Sequence, residues 1–171
     1  ETDYVVDLFE EIGGAYRGED SIFDKISKDD IIIAFFPCTR FSNKIQMWFA
    51  GNSYSQRNWG DKKKVEYAMN LHNELHRNYM LFSKMVWVAL DKELKMVIEN
   101  PYTKPHYLEA YFPIKPKIID KNRQLNGDYL KKPTQYWFIN CDPYDNKILE
   151  PIIEVPKRNI DYMYKAKSEE G

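Results

Sequence analysis

Two short apolar runs on either side of one long helical pattern constrain this chain more than anything else in it. The first run, IIIAFF at 31–36, is rich in β-branched and aromatic residues and apolar throughout, as expected of a strand covered on both faces. The second, LKMVIENPY from Leu94, reads as another buried strand that ends at a polar-proline corner. Between them Val65, Ala68, His72, Leu75, Tyr79, Phe82, Val86 and Ala89 fall at three- and four-residue steps. That spacing is one face of a helix of about 28 residues, with Asp61 placed to cap its start. Strand, long helix, strand is a crossover, so the two strands are expected to be parallel neighbours.

The remaining segments extend this unit. TDYVVDLFEEI near the N-terminus reads as a strand, DYVVDLF, leading into a turn or short helix, GGAYRGED as a flexible link, and SIFDKIS as a short amphipathic turn opened by Ser21. Residues 43–60 break every period and read as a long loop. HYLEAYF suggests a short helix, PKIIDK a third late strand and TQYWFINC a fourth, and the tail KAKSEEG reads as frayed. The order predicts an α/β domain over 1–145, its sheet mostly parallel with an antiparallel edge, followed by a C-terminal extension at 146–171. A length of 171 residues suits one such domain. Two distant cysteines make no disulfide framework, the first residues have no signal-peptide pattern, and no apolar run approaches the roughly 20 residues of a membrane span. The expectation is a cytoplasmic protein without a membrane partner.

Charge is unevenly placed. Residues 1–30 hold ten acids and three bases, a balance of −7, whereas the rest holds sixteen acids and twenty-two bases, a balance of +6. The later part can therefore meet a polyanion, although the net charge of −1 is not that of a strong nucleic-acid binder.

In parallel sheets ligands sit beyond the carboxyl ends of the strands, and both polar corners, PCTRFS and ENPY, fall there. Cys38 and Glu99 are thus expected to open into one crevice. A thiolate is a strong nucleophile and a carboxyl group can hold or protonate an electron-poor ring. The plain alternative is that Cys38 fills the core and Glu99 caps a turn.

Phe36-Pro37-Cys38-Thr39-Arg40-Phe41-Ser42 resembles the FPCQxFS box of DNA cytosine-5 methyltransferases, and Ile98-Glu99-Asn100-Pro101 resembles their Glu-Asn-Val box. Val6-Asp7-Leu8 with Ile12 is similar to the Gly-Asp-Ile segment that precedes the cysteine box. Gly127-Asp128-Tyr129 through Lys132-Pro133-Thr134-Gln135 to Phe138-Ile139 resembles the late Tyr-Gly-x-Pro-Gln segment and its strand. The likeness covers roughly residues 5–140 and is nearest to a compact, phage-like or mobile-element branch. It implies a Rossmann-like methyltransferase sheet, DNA as partner and S-adenosylmethionine as cofactor. It further implies Cys38 as the nucleophile on C6 of cytosine, Glu99 as the group that holds the ring, and Asn100 as a residue that positions Glu99 or the base. Asp7 and Pro37 fall on the cofactor side; Thr39, Arg40, Ser42 and Gln135 fall on the substrate side.

Several positions depart from that pattern. Thr39 replaces the Gln of the cysteine box, Pro101 replaces the Val of the glutamate box, and Tyr136-Trp137-Phe138 follow Gln135 in place of Arg-x-Arg. DLFEEIGGAYRG also invites comparison with the family's glycine-rich opening, but Glu10 and Glu11 would crowd and repel a carboxylate-bearing cofactor. The segment also lies too close to Cys38 to leave room for the strands between. The later Gly-Asp-Ile reading fits better, which places the cofactor loop before Glu1 and makes the sheet incomplete at its N-terminus.

Other motifs are weaker. Asn100-Pro101-Tyr102 is similar to the Asp/Asn-Pro-Pro-Tyr box of amino-methyltransferases but lacks one proline. His72 and His76 have a metal-clamping spacing without a third ligand, so no metal is assigned. Cys141 reads as structural, and Lys62-Lys63-Lys64 as either solvated or facing phosphate. Trp48, Phe49, Tyr54, Arg57 and Trp59 mix aromatics with a cation, which suits an unstacked base or a hydrophobic lid. Beside the enzyme stands a second reading, a non-catalytic relative that binds nucleic acid or a protein through the same crevice.

Overall fold

The computed structural model describes residues 4–42 and 46–143, so the expected extension at 146–171 lies outside the described residues. Four strands form one sheet: β1 (Ile31–Phe35), β2 (Lys95–Pro101), β3 (Ile118–Asp120) and β4 (Thr134–Ile139). Their spatial order is β1-β2-β4-β3. β1 and β2 pair in parallel, as the long crossover requires, while β2–β4 and β3–β4 are antiparallel. The domain is therefore α/β with a mixed sheet, and the expected mostly parallel pairing is corrected to one parallel ladder out of three. The reversed strand β4 is also an inner strand, inserted between β2 and β3, not the edge.

The crossover is α3 (Asp61–Asp91), 31 residues long, or about 46 Å at 1.5 Å per residue. Gly60 occupies its cap position and Asp61 is its first helical residue, one place later than the expected cap. Leu71, Leu75, Phe82, Met85, Val86 and Ala89 are buried along it, whereas Val65 and His72 at its outer end stay exposed. Leu75, Phe82, Met85, Val86 and Ala89 pack with Met96 and Ile98 of β2 and with Trp137 and Ile139 of β4 in one core. Phe82 sits at the centre of an aromatic cluster, 4.8 Å from Phe112, 5.3 Å from Phe36 and 5.8 Å from Trp137 between ring centroids.

The expected strand DYVVDLF is not formed: residues 4–7 are irregular, and Leu8 and Phe9 already open the short helix expected to follow it. α1 (Leu8–Tyr16) starts at Asp7, whose carboxylate accepts a hydrogen bond from the Phe9 amide at 2.8 Å, and Glu10 and Glu11 complement the first turn's dipole. Gly13 and Gly14 belong to this helix and not to a flexible link. Ile12 and Ala15 bury against the common core. The short helices α2 (Gln46–Phe49) and α4 (Tyr107–Tyr111) complete the helical layer.

Among the described residues, helices cover one face of the sheet and leave the other open. Strand residues alternate in direction, so Ile32 and Ala34 turn to the core while Ile31, Ile33 and Phe35 turn away and are exposed, Phe35 to 78%. Burial of β1 on both faces, expected from its composition, is thus replaced by an edge strand with one wet side. Val97, Ile118, Tyr136 and Phe138 continue that face around an open cavity of about 760 Å³.

Candidate functional site

Glu99 stands on the helix-free face. It is 8% exposed, and its Oε1 lies 3.4 Å from Lys132 Nζ and 4.0 Å from an Arg123 guanidinium nitrogen. Arg123, from the 3-10 turn Arg123–Asn126, is in turn ion-paired with Asp128. Tyr136 is the register partner of Glu99, and burial raises its phenol pKa above the ordinary value. The carboxylate is therefore covered by a polar hood from the chain between β3 and β4.

Cys38 comes from the turn that follows β1. Its carbonyl accepts a hydrogen bond from the Phe41 amide at 3.0 Å, and the residue is half-buried with a free thiol. Phe35, three residues earlier, is the register partner of Glu99, so both corners arise at the same end of adjacent parallel strands. Pro37 and Thr39 beside Cys38 are exposed. Arg40 is ion-paired with Glu74 of α3. Ser42 makes an isolated antiparallel bridge with His106.

Asn100, next to Glu99, points to the opposite, covered face and is fully buried. Its Nδ2 donates to the Phe36 carbonyl at 3.1 Å and its Oδ1 lies 3.1 Å from His106 Nε2. This makes it a tie between the end of β1, the cysteine turn and α4. Gln135 is its register partner on β4, also fully buried, and donates from Nε2 to the Pro101 carbonyl at 3.2 Å. Asp7 is the cap of α1. The structure thus gathers Cys38, Glu99, Asn100 and Gln135 at one end of the sheet.

Three residues of the site were missed by sequence reasoning. Around Glu99, Arg123 belongs to no motif quoted above, and Lys132 lies inside the segment that resembles the late Tyr-Gly-x-Pro-Gln box but was given no role there. His106 is 1% exposed and was hidden inside a segment read as a plain helix. Burial lowers its pKa from 6.5 to about 4, which keeps the imidazole neutral near pH 7. His72 packs its ring edge on Phe49 with centroids 4.8 Å apart, while Cys141 donates its thiol to the Met96 carbonyl at 3.7 Å, the structural role expected of it. Among the described residues no helix is long and apolar enough to cross a membrane. Comparison with protein-family models, with curated proteins and with solved structures gives no match.

Proposed function

We propose that this chain carries the base-activating half of a DNA cytosine-5 methyltransferase-like site, with Cys38 as nucleophile and Glu99 as the group that engages the ring. What supports the reading is the meeting of three separate resembling segments, on β1, β2 and β4, at one sheet end, with Phe35 opposite Glu99 and Asn100 opposite Gln135. Cytosine first leaves the duplex stack. The Cys38 thiol loses its proton to water and the thiolate adds to C6; the C5–C6 π pair moves to C5, and N3 takes the proton that Glu99, in its protonated form, delivers. Lys132 and Arg123 hold Glu99 in place. Asn100 acts as a positioning residue, fixing the strand end from which the cysteine turn departs.

S-adenosylmethionine, the methyl donor that the resemblance implies, does not fit the described residues. Asp7 is occupied by the Phe9 amide, and the space beside Gly13 and Gly14 is filled by the chain's own Arg17 and Glu19. A Cβ on either glycine would meet those side chains at 3.3 and 3.2 Å. No methyl-transfer step is therefore assigned to this chain.

The base-activating step is testable without a methyl donor, because the C5 carbanion equivalent can take a proton from water and the adduct can then collapse. DNA labelled with tritium at cytosine C5 is expected to release label into water with the wild-type chain, and Cys38→Ser should lower that release at least a hundredfold. Equal release by both proteins sinks the proposal. A non-catalytic binding module is the second reading, favoured by the ion pairs that already engage Glu99. It predicts no release from either protein.

A further inference from the structure

A cleft of about 420 Å³ runs between α1 and α3, and neither Cys38 nor Glu99 lines it. The volume is in the range of small-molecule sites. Two stacks of a cation on a ring bracket it. The Arg77 guanidinium lies 4.3 Å from the centroid of the Phe9 ring, and Lys84 Nζ lies 5.1 Å from that of Tyr16. Phe9 and Tyr16 on α1 are about two helical turns apart, as are Arg77 and Lys84 on α3. The helices therefore run in the same direction, with the stacks roughly 10 Å apart along them. Gly13 falls between the two rings and Met80 between the two cations, and both line the cleft. Its wall is reachable from solvent: His76 and Arg77 are exposed, Lys84 is half-buried, and Phe9 and Met80 are 37% and 40% exposed.

The charge of this cleft has one sign. Residues 76–84 carry His76, Arg77 and Lys84 and no acid, and all three basic side chains line the space. Among the described residues neither Arg77 nor Lys84 makes a hydrogen bond or meets a carboxylate. The acids around them are engaged elsewhere. Asp7 caps α1, Glu11 accepts from the Ile22 amide, Glu19 pairs with Arg17 and Glu74 with Arg40, while Glu10 does not line the cleft. A concave site with one sign of charge concentrates counter-ions of the other. A guanidinium laid on a ring face keeps its N–H donors in its own plane, free to take an anion edge-on. Lys84, on a flexible four-carbon stem, can swing from the Tyr16 ring toward the same anion.

We propose that this cleft binds a small phosphomonoester with an apolar body, its phosphate bridging Arg77 and Lys84 and its body lying against Met80. Two cations match a doubly charged ligand. A bidentate guanidinium takes two oxygens and the ammonium a third, which a phosphomonoester has and a carboxylate lacks. The inference does not rest on the Cys38 reaction. Phenyl phosphate is the probe, at pH 8 where it carries close to two charges, set against inorganic phosphate, benzoate and phenol. In calorimetry it should bind with a dissociation constant on the order of 0.1–1 mM, and it should shift the His76 ring resonances in NMR. Inorganic phosphate and benzoate should each bind about tenfold more weakly, and phenol not measurably. Arg77→Gln and Lys84→Gln should each weaken phenyl phosphate about tenfold. Arg77→Lys keeps the charge but loses the fork, and should weaken it several-fold even if Arg77→Gln fails to fold. Lys62→Gln, the same charge change at the start of α3, should leave binding unchanged. Equal affinity in wild type, Arg77→Gln and Lys84→Gln, benzoate binding as tightly as phenyl phosphate, or unmoved His76 resonances overturns the proposal. So does displacement of phenyl phosphate by a lower concentration of a single-stranded oligonucleotide without terminal phosphates, which would assign the cleft to a phosphodiester backbone.

Discussion

His106 joins stability to pH through one buried ring. Its pKa is pushed down to about 4 by burial, whereas in the unfolded chain it returns to 6.5. Between those values the unfolded chain binds a proton that the folded chain refuses, so stability falls as pH drops from 6.5 to 4. The loss comes to about 3 kcal/mol and is complete near pH 4, with no contribution above 6.5. His106→Gln keeps a donor for Asn100 and removes the titration. Denaturant unfolding at pH 7 and pH 4.5 should therefore show a larger acid loss in wild type than in this variant, while surface carboxylates act equally in both. An identical acid loss would mean that the ring is solvated. This residue was not legible in the sequence, because a lone histidine between proline and tyrosine carries no period. Its burial comes from a bridge to Ser42, 64 residues away from it in sequence order. The placement of Cys38 and Glu99 at the ends of neighbouring strands, by contrast, was legible, because each follows directly from where an apolar run stops.

At the level of elements, the crossover was the readable part and the termini of elements were not. The spacing of Leu75, Phe82, Val86 and Ala89 identifies α3 because one apolar face has to meet the sheet over several turns. DYVVDLF reads as a strand by propensity, yet a hydrogen bond from a backbone amide to Asp7 and the burial of Ile12 and Ala15 outweigh the few tenths of a kcal/mol that two valines can supply. The end of α3 is held from a distance: Asn140, at φ 53°, donates from Nδ2 to the carbonyls of Ala89 at 2.8 Å and Leu94 at 3.0 Å. Asn tolerates that left-handed backbone, and its amide ties the Ala89 carbonyl near the helix end, which also accepts from the Leu94 amide, to the Leu94 carbonyl of the turn before β2. Asn140→Ala should cost about 1–3 kcal/mol, read as a lower urea midpoint at unchanged slope. Asn140→Gly should recover only the backbone share. No change in either variant would show that water satisfies both carbonyls.

At the scale of the whole fold, the decisive fact is that the helices of the described residues lie on one side of the sheet. Phe82 on the covered side and Phe35 on the open side should respond oppositely to truncation. Phe82→Ala should cost about 3–5 kcal/mol, whereas Phe35→Ser should stay within about 0.5 kcal/mol, both measured by denaturant unfolding at pH 7. A large loss from Phe35→Ser would mean that something covers the strand in solution. The one-sidedness was not legible in hydropathy, because IIIAFF is equally apolar on both faces and no alternation marks the face that is wet. It has a thermal consequence as well. Water that already touches Ile31, Ile33 and Phe35 in the native state is not newly ordered when the chain melts. The heat-capacity step of unfolding is accordingly smaller than for a sheet roofed on both sides, and the stability curve is broader, so that cooling costs this fold little.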